Sequence, residues 1–73
     1  MHEQPREAGV VKVFYPLKGF GFITREKGRD IFFHFLDIVL DDRDASLFEG
    51  DKVEFSIGER NGKPKALMVK KIG

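Results

Sequence analysis

The chain has 73 residues, enough for one domain, and a domain of this length buries only about 60% of the surface it exposes when unfolded. It contains no cysteine, which excludes disulfides and thiolate metal sites and suits a reducing compartment. A formal net charge of +1 falls short of the strongly basic balance of a duplex-binding domain.

Residues 1 to 8 are polar, include Pro5 and show no periodicity, which predicts a flexible N-terminal tail ahead of a domain over residues 9 to 73. Val10 to Tyr15 alternates and is rich in valine and aromatics, the pattern of a first strand, with Pro16-Leu17-Lys18-Gly19 as the turn out of it. Phe20 to Arg25 continues as a second strand. Glu26 to Asp30 places Gly28 where a hairpin loop wants a glycine, and Ile31 to Phe35 makes a third strand.

From Leu36 to Gly50 the pattern breaks around the acidic run Asp41-Asp42-Arg43-Asp44, which predicts a long loop with at most one helical turn. Asp51 to Gly58 then alternates, with Val53, Phe55 and Ile57 on one side and Lys52, Glu54 and Ser56 on the other, a half-buried fourth strand. Asn61-Gly62 is a hairpin signal, and Lys65 to Ile72 reads as the fifth strand. No ten-residue segment carries a 3.6-residue apolar repeat. The expectation is therefore an all-β fold of five antiparallel strands, closed into a small barrel so that no long edge is left unpaired.

Charge is unevenly divided. Residues 1 to 35 carry six Lys/Arg against four Asp/Glu, residues 36 to 50 one against five, and residues 51 to 73 six against three. Such a chain can attract phosphate on one face and repel it at another. The same balance also fits a solvated mixed-charge surface. The longest aliphatic run, Ala66 to Val69, is far short of the ~20 apolar residues of a membrane span. The first residues lack the apolar stretch of a secretory signal. Both predict a soluble, cytoplasmic protein with no membrane partner.

Six of the eight phenylalanines lie at or near the segments Lys18 to Ile23 and Ile31 to Phe35, counting Phe14. Side chains alternate along a strand, so Phe20 and Phe22 share one face, as do Phe32 and His34. Either Ile23, Ile31 and Phe33 fill the core or the other set does, and a histidine fits the outward set better. With the first set inside, Phe20, Phe22, Phe32 and His34 form an external platform of rings. Bases stack on such rings for roughly 1 to 3 kcal/mol each, with little regard to sequence. Gly19 and Gly21 are expected to leave the backbone uncovered, so that a base can lie flat against a phenylalanine. A lone phenylalanine in a strand is ordinarily core, and Phe35 points inward by strict alternation unless the strand end twists it to the rim. His34 has only His2 as a further histidine, too few for a metal site.

These two segments resemble the paired ribonucleoprotein motifs of the cold-shock domain family, in the family's order and at its usual separation. The similarity extends over residues 9 to 72, through Leu47-Phe48-Glu49-Gly50-Asp51-Lys52-Val53-Glu54-Phe55 and through Asn61 to Val69 with Pro64 and Ala66. The resemblance implies a five-stranded OB-fold barrel that binds single-stranded RNA and DNA. Carried over position by position, it assigns Lys12, Phe14, Lys18, Phe20, Phe22, Phe32, His34 and Phe35 to the binding face. Two positions depart from the family: a tryptophan is usual where this chain has Val13, and an asparagine where it has Tyr15. Loss of one stacking surface implies an affinity lower by roughly five- to a hundredfold. Nothing in the sequence shows whether Tyr15 reaches the platform. The RNA-recognition motif family carries similar short motifs in the opposite order, within a chain that has two helices.

The function this implies is a sequence-tolerant single-strand binder, an RNA chaperone or regulator of the cold-shock type. Lys12, Lys18, Arg29 and either Lys63 or Lys65 are candidates for phosphate contacts, Lys18 first among them. The alternative is an OB-fold protein-interaction module with weakened nucleic-acid binding, marked by Val13 and the acidic run. An enzyme has little support: there is no cysteine nucleophile and no P-loop, and Thr24 stands where a dinucleotide fingerprint needs its third glycine. No metal, organic cofactor or small-molecule substrate is implied, and a monomer is expected.

Overall fold

The computed structural model describes residues 6–26, 28–39 and 47–72. Five strands, β1 (Arg6–Tyr15), β2 (Phe20–Arg25), β3 (Ile31–His34), β4 (Lys52–Arg60) and β5 (Lys63–Lys71), close into a barrel in the order β1-β2-β3-β5-β4. A 3-10 turn, Phe35–Asp37, follows β3.

Four of the five pairings are antiparallel, and β3 pairs with β5 in parallel at Phe32 and Lys65. The expected all-antiparallel sheet is corrected here, and the reason is parity. Directions cannot alternate all the way round a closed ring with an odd number of strands, so one neighbouring pair must run the same way. That pair falls where no tight turn joins the strands, because a parallel connection needs a long crossover; here β4 intervenes.

β1 begins at Arg6, not Val10. Arg6, Glu7 and Ala8, which composition assigned to the tail, pair with Ser56, Phe55 and Glu54 of β4. Arg25 anchors this extension by donating from Nε and Nη2 to the two carboxylate oxygens of Glu7, at 2.9 and 2.8 Å. A bidentate pair of this kind combines charge with fixed geometry, and it ties the start of β1 to the end of β2.

The core is Val11, Ile23, Ile31, Phe33, Leu47, Val53, Phe55, Ala66 and Val69, with Phe14 and Ile38 packed against it. Alternation holds through β2 and β3, where Ile23, Ile31 and Phe33 are buried between half-buried rings. It slips in β5, where Ala66 and Val69 are both buried with two residues between them. In β4 Ile57 opposes buried Ala66, in phase with Val53 and Phe55, but is 37% exposed, and Ser56, opposite Arg6 and Leu67 on the outer face, is covered to 4%. The register with β5 shifts at this point, Glu54 opposing Lys70 and Ser56 opposing Leu67. The extra residue on β5 includes Met68 at φ 52, and a bulge of this kind twists a strand and re-aims its side chains. Ser56 Oγ accepts a hydrogen bond from Arg6 at 3.3 Å, so the buried hydroxyl is satisfied.

The Asn-Gly signal is borne out by a two-residue hairpin between Arg60 and Lys63, with Asn61 at φ 53 and Gly62 at φ 79. Both values positive is the type I′ turn, whose twist matches that of the flanking strands. The acidic run Asp41 to Asp44 lies outside the described residues.

Candidate nucleic-acid interface

The platform is built by register. β2 pairs with β3 so that Phe20 faces His34 and Phe22 faces Phe32, with Gly21–Phe33 and Ile23–Ile31 as the intervening inward pairs. The outward set is thus Phe20, Phe22, Phe32 and His34, all half-buried. Phe20 and Phe32 have ring centroids 5.8 Å apart, Phe22 and Phe32 6.0 Å, and Phe20 and Phe22 6.2 Å. Each ring packs against its neighbours and keeps part of its surface in solvent.

His34 and Phe35 stand beside this cluster with centroids 4.8 Å apart. Phe35 turns out to the rim at 49% exposure, because the 3-10 turn starts there and ends the strand's alternation. Its amide donates to the Gly19 carbonyl at 2.9 Å, and its ring covers Gly19, where a Cβ would come within 2.8 Å of the Phe35 ring. The His34 Nδ1 accepts the Leu36 amide at 3.2 Å. In neutral imidazole this leaves Nε2–H as an outward donor.

Gly19 and Gly21 serve packing and not openness, which corrects the sequence-based account of them. Gly21 is buried: a Cβ there would run into the Val13 carbonyl oxygen and come within 2.9 Å of the Phe33 ring. Gly19 sits at φ +79 under Phe35.

Phe14 does not join the platform. It opposes Gly21 and turns inward, stacking on buried Phe33 at 5.6 Å with 21° between the planes. The cause is a bulge at Lys12: Val11 opposes Ile23, and Val13 opposes Phe22 directly. Val13 is thereby placed on the outer face and Phe14 on the inner one. The same register brings Tyr15 opposite Phe20, with ring centroids 5.4 Å apart and 58° between the planes. Tyr15 is the platform residue that sequence reasoning did not secure. Its alternation with Val13 was readable, but the bulge that sets the phase was not.

The cations divide into two groups. Lys12 Nζ lies 2.7 Å from Asp30 Oδ2, and this hydrogen bond, reinforced by charge, holds the lysine's pKa above its ordinary value. Lys65 Nζ lies 2.9 Å from Asp37 Oδ2, with both side chains largely buried; the carboxylate oxygen is off the line of a directed hydrogen bond, so the contact is ionic. Lys18, Arg60 and Lys63 have no carboxylate within ion-pair distance among the described residues. Lys18 Nζ stands 5.9 Å from the Tyr15 ring centroid. Arg60 and Lys63 line a cleft of about 550 Å³ whose other walls include Phe22, Phe32 and Asp30. The described residues thus place rings and unpaired cations on one continuous surface. They contain no group of three or more metal-ligating side chains, and no helix long and apolar enough to cross a membrane.

The family model for the "'Cold-shock' DNA-binding domain" matches residues 7–72. The cold shock-like protein CspC of Bacillus cereus is 47% identical over 64 residues, covering 88% of this chain and 97% of the relative. The Retron Se72 cold shock-like protein of Salmonella heidelberg is 35% identical over 66 residues, covering 90% of this chain and 98% of that protein. Among solved structures, Drosophila Unr CSD456 superposes with a TM-score of 0.79 at 27% identity; the match covers 96% of this chain and 28% of that longer one.

Proposed function

The chain belongs to the cold-shock domain family, and from that premise we propose that it binds single-stranded RNA and DNA with low sequence specificity, as a cytoplasmic RNA chaperone or regulator. The observation that carries this reading is the outward cluster of Phe20, Phe22 and Phe32, at centroid separations of 5.8 to 6.2 Å. Burying these rings would stabilise a small barrel, by about 1.5 to 3 kcal/mol for a fully buried phenylalanine; exposing them instead makes sense where bases complete the burial. Lys18, Arg60 and Lys63 supply the sequence-independent attraction for phosphate. Binding the single strand in preference to the duplex shifts weak RNA structure toward its open form by mass action. No catalytic group is needed.

The test is fluorescence anisotropy of a labelled oligothymidine and its RNA counterpart, with a duplex control, at two salt concentrations. Micromolar or tighter binding to the single strands is expected, weaker at high salt and absent for the duplex. Phe20→Ala and Phe32→Ala should each weaken it. No binding at low salt would sink the reading and turn attention to protein partners, beginning with exposed Leu17 and Phe48.

A further inference from the structure

We infer that Tyr15 is a base-stacking residue, so that the platform continues across β1 and its usable edge lies at the Tyr15–Phe20 rung and not at the Val13–Phe22 rung. This rests on the proposed single-strand binding and specifies how far the site extends. The Val13–Phe22 rung has a ring on one strand only, whereas the Tyr15–Phe20 rung has one on both. Tyr15 is 44% exposed, close enough to Phe20 to be held and open enough to be covered.

Its backbone is fixed on two sides. The cross-strand register holds it against Phe20, and its carbonyl accepts the amides of Lys18 at 3.0 Å and Gly19 at 2.8 Å. The turn so formed returns Lys18 over the ring, with Nζ 5.9 Å from the centroid. A base laid on Tyr15 would therefore have its phosphate within reach of an ammonium group. Ring and cation arrive pre-positioned, which lowers the ordering cost of binding. The two have separable signatures, because stacking is insensitive to salt and phosphate contact is not.

Tyr15 is the sole tyrosine of a chain without tryptophan, so its emission reports on this ring alone. The experiment follows tyrosine emission during titration with oligothymidine and with an abasic oligomer of equal length, corrected for absorption by the ligand. Affinities of Tyr15→Phe, Tyr15→Ala and Lys18→Ala are measured alongside with the labelled strand. Oligothymidine should quench the emission strongly and the abasic oligomer should not. Tyr15→Phe should bind within about twofold of the parent. Tyr15→Ala should lose about 5- to 100-fold, the range of one stacked base, with an unchanged salt slope. Lys18→Ala should flatten that slope by about 0.7. If oligothymidine binds and Phe20→Ala weakens it, but the emission is unmoved and Tyr15→Ala binds as the parent does, the inference is overturned while single-strand binding stands. If the parent binds no oligomer at all, the proposed function itself fails. The emission readout uses the unaltered chain and so survives any loss of folding in a variant.

Discussion

Replacing Asp30 by asparagine should steepen the salt dependence of binding. In the folded chain Lys12 is already neutralised by Asp30 at 2.7 Å, and Lys65 by Asp37 at 2.9 Å. A phosphate that takes either lysine must displace a carboxylate, and the exchange releases little counterion. Of the cations placed against the rings, only Lys18, Arg60 and Lys63 then count fully; Arg29 lines neither the Phe22–Phe32 cleft nor the Tyr15 ring. For single strands the slope of log affinity against log salt is about −0.7 per neutralised phosphate, which gives about −2 for three cations. Between 50 and 200 mM salt that is a loss of roughly 20-fold. Asp30→Asn frees Lys12, moves the slope to about −2.8 and makes the loss roughly 50-fold. The pair is exposed, with 60% and 37% of the two side chains accessible, so folding should be little affected. Anisotropy titrations of a labelled oligothymidine across four salt concentrations, with both proteins, measure the two slopes. A parent slope near −3.5, as expected for five free cations, would refute the self-neutralisation argument. So would identical slopes for parent and variant.

Neighbouring phenylalanines on β3 should fail in opposite ways. Phe33→Ala removes a fully buried ring and should cost about 3 to 5 kcal/mol of the roughly 4 to 11 available to a chain this long, so the milder Phe33→Leu is the practical variant; it should lower Tm by several degrees and leave Kd within about twofold. Phe32→Ala should do the reverse, weakening oligothymidine binding about 5- to 100-fold with little change in Tm, and the opposite pattern in calorimetry and anisotropy would mean the two faces are exchanged. Gly21→Ala should be a stability variant: a methyl group against the Val13 carbonyl and the Phe33 ring costs about 1 to 3 kcal/mol, a fall of roughly 4 to 20 °C in Tm, and an unchanged Tm with lost binding would return Gly21 to the platform.

Strands β2 and β3 and their faces were legible because their alternation is unbroken and each inward position is strongly apolar. The Asn61-Gly62 hairpin was legible because few residues tolerate two successive positive φ values. Other features are set by long-range pairing. The bulges at Lys12 and beside Met68 insert one residue into one strand, and nothing in a local pattern says which strand will carry the surplus. Hence Phe14, which the resemblance assigns to the binding face, lies against the core, and Tyr15 stayed open. The parallel β3–β5 pair was derivable from strand count once closure was assumed, but local reading considers neighbours in sequence, and these strands are not. Residues 6 to 8 looked like tail because polar side chains conceal backbone pairing, which needs no apolar face.

The geometry of the rings argues for unpaired strands. Bases in a duplex lie parallel at about 3.4 Å spacing, whereas Tyr15, Phe20, Phe22 and Phe32 lie 5.4 to 6.2 Å apart with planes inclined by 34° to 90°. No run of mutually stacked bases can lie flat on two such rings at once. Each base that uses the platform must leave its neighbour and turn to meet its own ring. A duplex would have to give up both pairing and stacking to do so, and a flexible single strand gives up only weak stacking. The cost is smallest for pyrimidines, which stack least on one another, so any residual preference should come from the strand's own stiffness. The inner face supports this arrangement: Gly21 lets Phe33 reach Phe14, and that buried stack holds the strands beneath the outer rings in one register. The selectivity for open strands that the proposed function requires would therefore follow from how the rings are inclined, without any group that reads a base edge.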